Sequence, residues 1–589
     1  NRGKHAIKAG TEIFRDQEND LFSGPQQRPT YDFRNLFDFA ADLPLSQSGV
    51  NFDPRTGGPA TQDVQYRTTT YGFFVQDNYK VKKNLSLNLG LRWDFSSNPY
   101  EKNGRMSTVI LGPGSTFQEQ MAKASVGVVP QLLEKHRIGY LAPRFSFAWA
   151  PTRLETRLSV RGGLGVFMSR WPNIAWSDRI RANPPFQSGI NADTETPGSP
   201  RPVYGLCQMA VSPFNCPLPT GLVLGLNERG GPLGARAQIG GPAPDLKYAY
   251  TINRFFGIQY ALASNWVLEA DYLGSQAVHL YTNTDRNRFA GDFSFDPNLD
   301  RINPFFGTIS YTDNSGWSHY NGGTVSLQKR FSQGYTFTTS FTFGKTLSVQ
   351  DATGVGRDSL QSPIVDANNL RAQRGPAAFD ISKSLSMSFV YDVSPKLFGN
   401  RWAKSLLGNW QLGVIGSFQG GYPLWITTTQ DFNGDGTAFD VPFTPSFGNN
   451  RKASRSDFLN GFVTTADFPV PDCIRTETRA APPPPPGQPE QPPLVVCVGW
   501  AGGGDLGRNT FRGPGLANVD FSLGRSFGLP KAIGKEGARI QLRAEFFNLF
   551  NRVNLDPRTV VTSLTGPQFG RATGVFNPRT VQLAARIEF

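Results

Sequence analysis

Apolar and polar residues alternate along much of this chain with a period of two. Leu85, Leu87, Leu89, Leu91, Trp93 and Phe95 interleave with Ser86, Asn88, Gly90, Arg92 and Asp94. Successive side chains of a strand point to opposite faces, so the run predicts a strand with one apolar and one polar face. It is about twice as long as a usual soluble strand and fits the ~9–11 residues of a tilted membrane-crossing strand. Tyr335, Phe337, Phe341 and Phe343 alternate in the same way with Thr336, Thr338, Ser340 and Thr342. Leu385, Met387, Phe389, Tyr391 and Val393 alternate with Ser384, Ser386, Ser388 and Asp392. Towards the end, Ile540, Leu542, Ala544 and Phe546 alternate with Arg539, Gln541, Arg543 and Glu545. Val581, Leu583, Ala585, Ile587 and Phe589 alternate with Gln582, Ala584, Arg586 and Glu588.

About fourteen such strands are expected, starting near Ala6, Tyr66, Asn84, Pro143, Glu155, Ala249, Asn265, Gly322, Gly334, Ala377, Gly408, Ala517, Ala538 and Thr580. The connections alternate as well. Long segments (roughly 16–65, 96–142, 169–248, 275–320, 346–376, 421–516 and 550–579) take turns with short ones around Lys82, Thr152, Ser264, Gln333, 394–407 and 528–537. Aromatic residues gather near strand ends: Tyr71, Tyr79, Trp93, Phe95, Trp266, Tyr272 and Trp410. A soluble sandwich would have shorter strands, and a propeller would show a repeat of about 40–50 residues that is not seen. The reading is all-β: a transmembrane antiparallel barrel with aromatic girdles, long extracellular loops and short periplasmic turns. The last strand descends from a long loop, which puts the C-terminus in the periplasm.

Composition agrees. Hydrophobic residues are only 38% of the 589 residues and mean hydropathy is −0.35. Membrane helices, which need runs of about 18 or more apolar residues, are excluded, whereas barrel strands are only half apolar. Net charge is +13. Apart from Lys80-Val81-Lys82-Lys83 no basic run exceeds two residues, so no nucleic-acid tail is expected. The chain opens Asn1-Arg2-Gly3-Lys4-His5 without a signal peptide, as expected of a processed chain or a portion of a longer one.

Candidate chemistry is sparse. The histidines His5, His136, His279 and His319 are scattered, and neither a G-x-S-x-G nor a Walker A motif is present, so no enzyme is expected. Cys207 and Cys216, and Cys473 and Cys497, form two sequence-local pairs in Pro-rich loops. In an oxidising compartment each pair is expected to staple its loop; free thiols and a zinc site are the alternatives. Asp431-Phe432-Asn433-Gly434-Asp435-Gly436 has oxygen ligands at positions 1, 3 and 5, as at the start of an EF-hand loop. Pro442, however, stands where the bidentate Glu belongs. Asp431, Asn433 and Asp435 are therefore a candidate calcium site, with an Asx/Gly turn as the alternative; no other cofactor is required. Arg92, Asp94, Glu269, Asp271, Arg539, Arg543 and Glu545, with Arg586 and Glu588, fall on polar strand faces and are expected to line a wet lumen, where charge is cheap. Basic residues of the short turns (Lys80, Lys82, Lys83, Arg153, Lys396, Arg401, Lys404, Lys531, Lys535) suit anionic headgroups. Residues 421–516 form the longest loop, and its run Pro482–Pro486 predicts a stiff surface spacer.

The chain resembles the C-terminal barrel of TonB-dependent outer-membrane receptors, in particular the Oar-like (OmpA-related) subgroup. The resemblance lies in Tyr71–Tyr79 with Leu85–Asp94, in Leu141–Phe147 with Arg161–Phe167, and in Arg543–Asn551 with terminal Phe589. It implies a receptor that binds an extracellular ligand and imports it with energy delivered through TonB. It also implies that Phe589 and Ile587 form the insertion signal read by the barrel-assembly machinery, in a membrane of lipid and lipopolysaccharide. Plugged transporters have 22 strands. Fourteen leave eight unaccounted for, so residues 1–589 are expected to be a barrel portion without its plug, its TonB-contacting segment and its first strands. A complete 14-stranded barrel is the alternative. The rival functions are an adhesion, assembly or secretion-associated barrel, favoured by the size of the loops, and a passive porin. The ligand is not legible.

Overall fold

The computed structural model describes residues 3–588 except 22–28, 59, 61–62, 137–138, 153–156, 170–175, 195–198, 206–216, 234, 290–299, 352–363, 429, 434, 436–439, 449–452, 480–492, 501 and 529–537. Its centre is one 17-stranded sheet. Fourteen of these strands form a continuous antiparallel wall. They are β1 (His5–Leu21), β2 (Asp63–Lys82), β3 (Leu85–Ser96), β4 (Tyr140–Trp149), β5 (Leu158–Met168), β6 (Tyr250–Ala263), β7 (Trp266–Asp285), β8 (Ile309–Ser332), β9 (Tyr335–Ser348), β10 (Lys383–Asp392), β11 (Trp410–Gln419), β12 (Leu516–Gly528), β13 (Arg539–Phe547) and β14 (Thr580–Glu588). Each pairs with the next in chain order. Three short strands, Tyr100–Glu101, Ile239–Pro242 and Gly375–Pro376, extend the sheet at the long-loop end.

The alternation locates all fourteen strands but misplaces some ends. β8 begins at Ile309 rather than near Gly322, and β7 continues to Asp285, well into the segment read as loop. Beyond the membrane both faces of a strand meet water or loop, so the period-two signal fades while the ladder continues. β10 begins at Lys383 rather than near Ala377, because Ala377–Asp380 forms a turn closed by the Asp380 N–H donating to the Ala377 carbonyl.

Directly opposed residues of an antiparallel pair project to the same side, so register carries a face from strand to strand. One face passes through Glu12, Gly72 and Asp94. Farther along it passes through Thr324, Thr342, Ser384 and Gln419, and then through Gly524, Arg543 and Ala584. This face is mainly polar or small, with Phe74, Phe255 and Leu273 among its apolar exceptions. The other carries Leu89, Phe145, Phe256, Phe341, Leu542 and Leu583, all exposed. An exposed apolar surface of this extent is what a lipid environment covers. Its ends are aromatic. At the short-turn end stand Tyr79, Trp149, Trp266, Tyr335, Tyr391 and Trp410. At the other end, Tyr71 stacks on Phe95 and Phe73 on Trp93. From Tyr71 to Tyr79 the strand advances ~27 Å at ~3.4 Å per residue, close to the ~25 Å apolar band of outer-membrane barrels.

The hydrophobic core lies elsewhere. One buried cluster joins Met106, Met121, Val126, Leu132, Trp176, Ile180, Ile239, Leu246, Tyr281 and Phe306. A second joins Leu424, Ile426, Phe458, Phe462, Phe468, Phe511, Leu555 and Phe569. Both are built mainly from the long connections. The loops are therefore folded lobes with their own cores, standing at one end of the wall.

Candidate functional site

The polar face of the wall is concave. Residues from seven successive strands line one cavity of about 850 Å³: Gln76 and Asn78 of β2, Asn88 of β3, Arg144 and Ser146 of β4, Gly163 of β5, Asn253 of β6, Ser275 of β7 and Tyr320 of β8. Apolar side chains (Leu89, Phe145, Phe167, Phe255 and Leu273) share the lining with these amides and hydroxyls and with Arg144 and Arg254, so the cavity offers hydrogen-bonding groups beside apolar surface.

The sequence-predicted lumen charges all lie on this face, and all except Asp271 are ion-paired. Arg92 Nε donates to Asp94 at 2.8 Å, and its Nη2 reaches Glu12 of β1 at 2.8 Å. Arg161 of β5 bonds Glu269 of β7, with Asp271 beside it. Arg539 bonds Glu588 at 2.5 Å, Arg543 lies 3.4 Å from Glu545, and Arg586 lies 3.2 Å from Glu588. Neutralised in this way, they brace the wall.

Buried amides and arginines organise the lobes. Asn287 Nδ2 donates to the carbonyls of Asn303, Phe306 and Gly307. Asn303 Nδ2 donates to those of Met121 and Ala124, at the end of the Phe117–Ala122 helix. Asn183 ties Ser107 to Gly240. Each side chain satisfies loop carbonyls that no ladder would reach. Arg508, almost fully buried, donates to the carbonyls of Gln373 and Ser348 and pairs with Asp351. Burial pulls its guanidinium below its ordinary pKa, against the pull of Asp351. Arg288 joins three connections, bonding Asp366 at 2.7 Å and Asp435 at 3.2 Å.

The 431–436 motif lies inside this network. Asp431 Oδ1 and Asn433 Oδ1 both accept from the Asp435 N–H, at 3.1 and 3.0 Å, which is an Asx-turn arrangement. Asp435, the third expected oxygen donor, faces the Arg288 cation. Among the described residues no group of three or more His, Cys, Asp or Glu could hold a metal ion. Asp440, which sequence reasoning overlooked, is fully buried beside the motif. Its Oδ2 accepts from the N–H groups of Phe432 and Asn433 at 2.6 and 2.9 Å. Burial, reinforced by Asp435 and Asp431, pushes its carboxyl up to about 7.

Cys473 and Cys497 are joined, with Cα atoms 5.9 Å apart, across a hairpin of Cys473–Arg479 and Leu494–Trp500. Cys207, Cys216, Pro482–Pro486, Arg153, Lys531, Lys535 and Phe589 lie outside the described residues. Ile587 is exposed on the apolar face of β14.

The chain matches the family model for the outer membrane beta barrel domain over residues 1–582. It belongs to the outer membrane beta barrel domain family. The domain's all-β, antiparallel wall and its outer-membrane location follow from that membership. No curated protein sequence matches it. Among solved structures it is similar to the FrpB iron transporter from Neisseria meningitidis (F3-3 variant), with 12% identity, TM-score 0.40, and 99% of this chain covering 52% of that one. It is similar also to the copper transporter OprC (11% identity, TM-score 0.42, 99% of this chain and 56% of that one). A third is the siderophore receptor PirA from Acinetobacter baumannii (12% identity, TM-score 0.42, 99% and 51%). The domain spans about half the length of these structures.

Proposed function

We propose that this domain is the membrane part of an outer-membrane receptor that captures an extracellular ligand on its folded lobes and admits it to the polar lumen for TonB-energised uptake. The observation that carries the reading is the placement of two lobes with cores of their own at one end of a polar, concave wall. Binding residues concentrate on loops that a rigid scaffold holds in place, and the buried Asn and Arg ties give these loops that rigidity. In this reading the lobes are extracellular, the short turns and C-terminus are periplasmic, and the molecule is a transporter rather than an enzyme. The resemblance to the Oar-like subgroup supplies the remaining partners. A plug outside these residues would contact TonB, the barrel-assembly machinery would read Ile587 and Phe589, and lipopolysaccharide would surround the outer rim.

A second reading, surface adhesion or assembly, is favoured by one feature. The short helix Leu36–Ala40 in the β1–β2 connection holds Leu36 and Phe37 78% and 85% exposed. Phe39, at the end of the helix, is anchored by Phe33, which packs edge-on to Tyr204. An apolar tip of this kind suits a macromolecular partner more than a small chelate.

Uptake by whole cells separates the two. Cells expressing the full-length protein would be offered radiolabelled ferric and copper chelates, oligosaccharides and peptides, with and without TonB. TonB-dependent accumulation of one class, lost on deletion of the gene, supports the importer. Accumulation that persists without TonB contradicts it, and so does a deletion that alters adhesion alone. Planar-bilayer conductance would reveal a passive pore.

A further inference from the structure

We propose that the Arg401–Leu407 helix, in the turn between β10 and β11, is a membrane-surface anchor that lays an apolar face into the bilayer and presents its cations to anionic phospholipid headgroups. Only the choice of leaflet rests on the orientation proposed above.

The helix is preformed. Asn400 caps its start, with Oδ1 accepting from the Ala403 N–H at 2.7 Å. Its end is tied to the wall. Arg525 of β12 donates to the carbonyls of Ser405 and Leu406, and Trp410 Nε1 donates to the Leu406 carbonyl at 2.9 Å. So short a helix would not persist alone in water; these contacts hold it.

Its two faces differ sharply. At about 100° per residue, Trp402, Leu406, Ala403 and Leu407 fall within one arc of about 140°, and Lys404, Arg401 and Ser405 fall on the other side. An amphipathic helix ordinarily turns its apolar arc to the protein core. Here it turns outward: Trp402 is 87% exposed, Leu406 69% and Leu407 48%. The helix is rooted at Trp410, in the aromatic girdle of the lipid-facing surface, and Arg525 lies 5.3 Å over that ring. The apolar arc is thus continuous with a surface already assigned to lipid.

Charge completes the match. Lys396, Arg401 and Lys404 are exposed, and no acidic residue occurs between Val393 and Gln411. An apolar face bearing a Trp, with cations on the opposite side, is the composition of helices that lie in the interface. Juxtamembrane cations are drawn to anionic lipid.

The test places a nitroxide, carried on a genetically encoded ketone amino acid so that the native cysteines stay intact, at position 406 or 399. The full-length protein is reconstituted in nanodiscs of phosphatidylethanolamine with phosphatidylglycerol. Power saturation then compares access of oxygen, which partitions into lipid, with access of a water-soluble nickel chelate. The expected oxygen-to-nickel ratio at 406 is at least about threefold that at 399. It falls when phosphatidylcholine replaces phosphatidylglycerol, and when Lys396, Arg401 and Lys404 are changed together to Glu. Equal ratios at 406 and 399 would overturn the proposal, as would a ratio indifferent to lipid charge. A label at 406 shielded from both reagents would overturn it in favour of a protein partner. If short turns proved to be at the cell surface, the orientation would fail while this result stood.

Discussion

Arg92 of β3 reaches Glu12 of β1 at 2.8 Å across the full width of β2, because the β2 residue that lies between them is Gly72. A Cβ at position 72 would overlap the Arg92 guanidinium and lie 2.9 Å from Asp94 Oδ1. The arrangement recurs farther round the wall. Arg161 of β5 stands opposite Gly257 of β6, which stands opposite Asp271 of β7, and a Cβ at 257 would overlap the Asp271 carboxylate. In both places a glycine in the middle strand lets charges on the flanking strands meet over it.

Gly72→Leu is therefore expected to break the half-exposed Arg92–Glu12 bridge and to force the crowded Arg92 and Asp94 side chains aside, at a cost of roughly 1–3 kcal/mol, most of it steric. Arg92→Gln, which keeps length without charge, should cost less. The measurement is the gel shift between unheated and heated samples in detergent, followed against urea. The leucine variant should lose its folded band at lower urea than wild type.

The lobes depend on buried amides. Asn303→Ala removes the donor to the Met121 and Ala124 carbonyls and leaves both unsatisfied, costing on the order of 1–3 kcal/mol locally. Limited proteolysis should cut the 97–139 connection faster, while the detergent-resistant wall stays folded. A simultaneous loss of the wall would show that lobe and barrel unfold as one.

Arg508→Met strands Asp351 in a buried site, and removing one partner of such a pair typically costs ~3–5 kcal/mol. Asp351→Asn added to it should recover part of the loss, because Asn carries no charge, its single oxygen can still accept from Asn509, and its NH2 can donate to the Ser348 hydroxyl. Hydrogen exchange over residues 348–351 and 506–510 reads both effects.

Asp440 makes the second lobe pH-sensitive. Its carboxyl titrates near 3.8 when unfolded and at about 7 when folded. Between those values the folded loop holds a proton that the unfolded loop has released. Stability is therefore highest below about pH 4, falls as pH rises through the window, and changes no further above about 7. The loss is on the order of a few kcal/mol. Asp440→Asn should slow hydrogen exchange of residues 431–441 at pH 8 and leave it nearly unchanged at pH 4.

Calcium provides a separate check on that loop. Arg288 already supplies the cation facing Asp435, so calorimetric titration should show no saturable calcium heat. A saturable heat abolished by Asp435→Asn would support the metal reading of Asp431, Asn433 and Asp435.

The wall was legible in the sequence because lipid on one side and water on the other impose a strict period of two. Leu85–Asp94 shows it residue by residue, and the polar-face placement of Arg92, Asp94, Glu269, Asp271, Arg539, Arg543 and Glu545 follows from parity. What escaped is what parity does not encode. β7 and β8 outrun the membrane, where alternation is no longer enforced. Asn183, Asn287, Asn303 and Arg508 sit in Pro- and Gly-rich stretches and bond carbonyls far away in sequence, so no local spacing marks them. The loop core residues, such as Trp176 and Phe511, come from separate connections and show no shared period. Asp440 lies four residues beyond the 431–436 motif, at no ligand position of an EF-hand loop, and its environment is tertiary.

The claim on which the account turns is that the folded lobes face the outside of the cell. A short epitope inserted after Val223, beside exposed residues of one lobe, and another inserted after Gly399, in the β10–β11 turn, test it in intact cells. The account predicts that antibody binds the first on intact cells, and the second only after the outer membrane is permeabilised. Binding at 399 on intact cells, with 223 silent until permeabilisation, would contradict it.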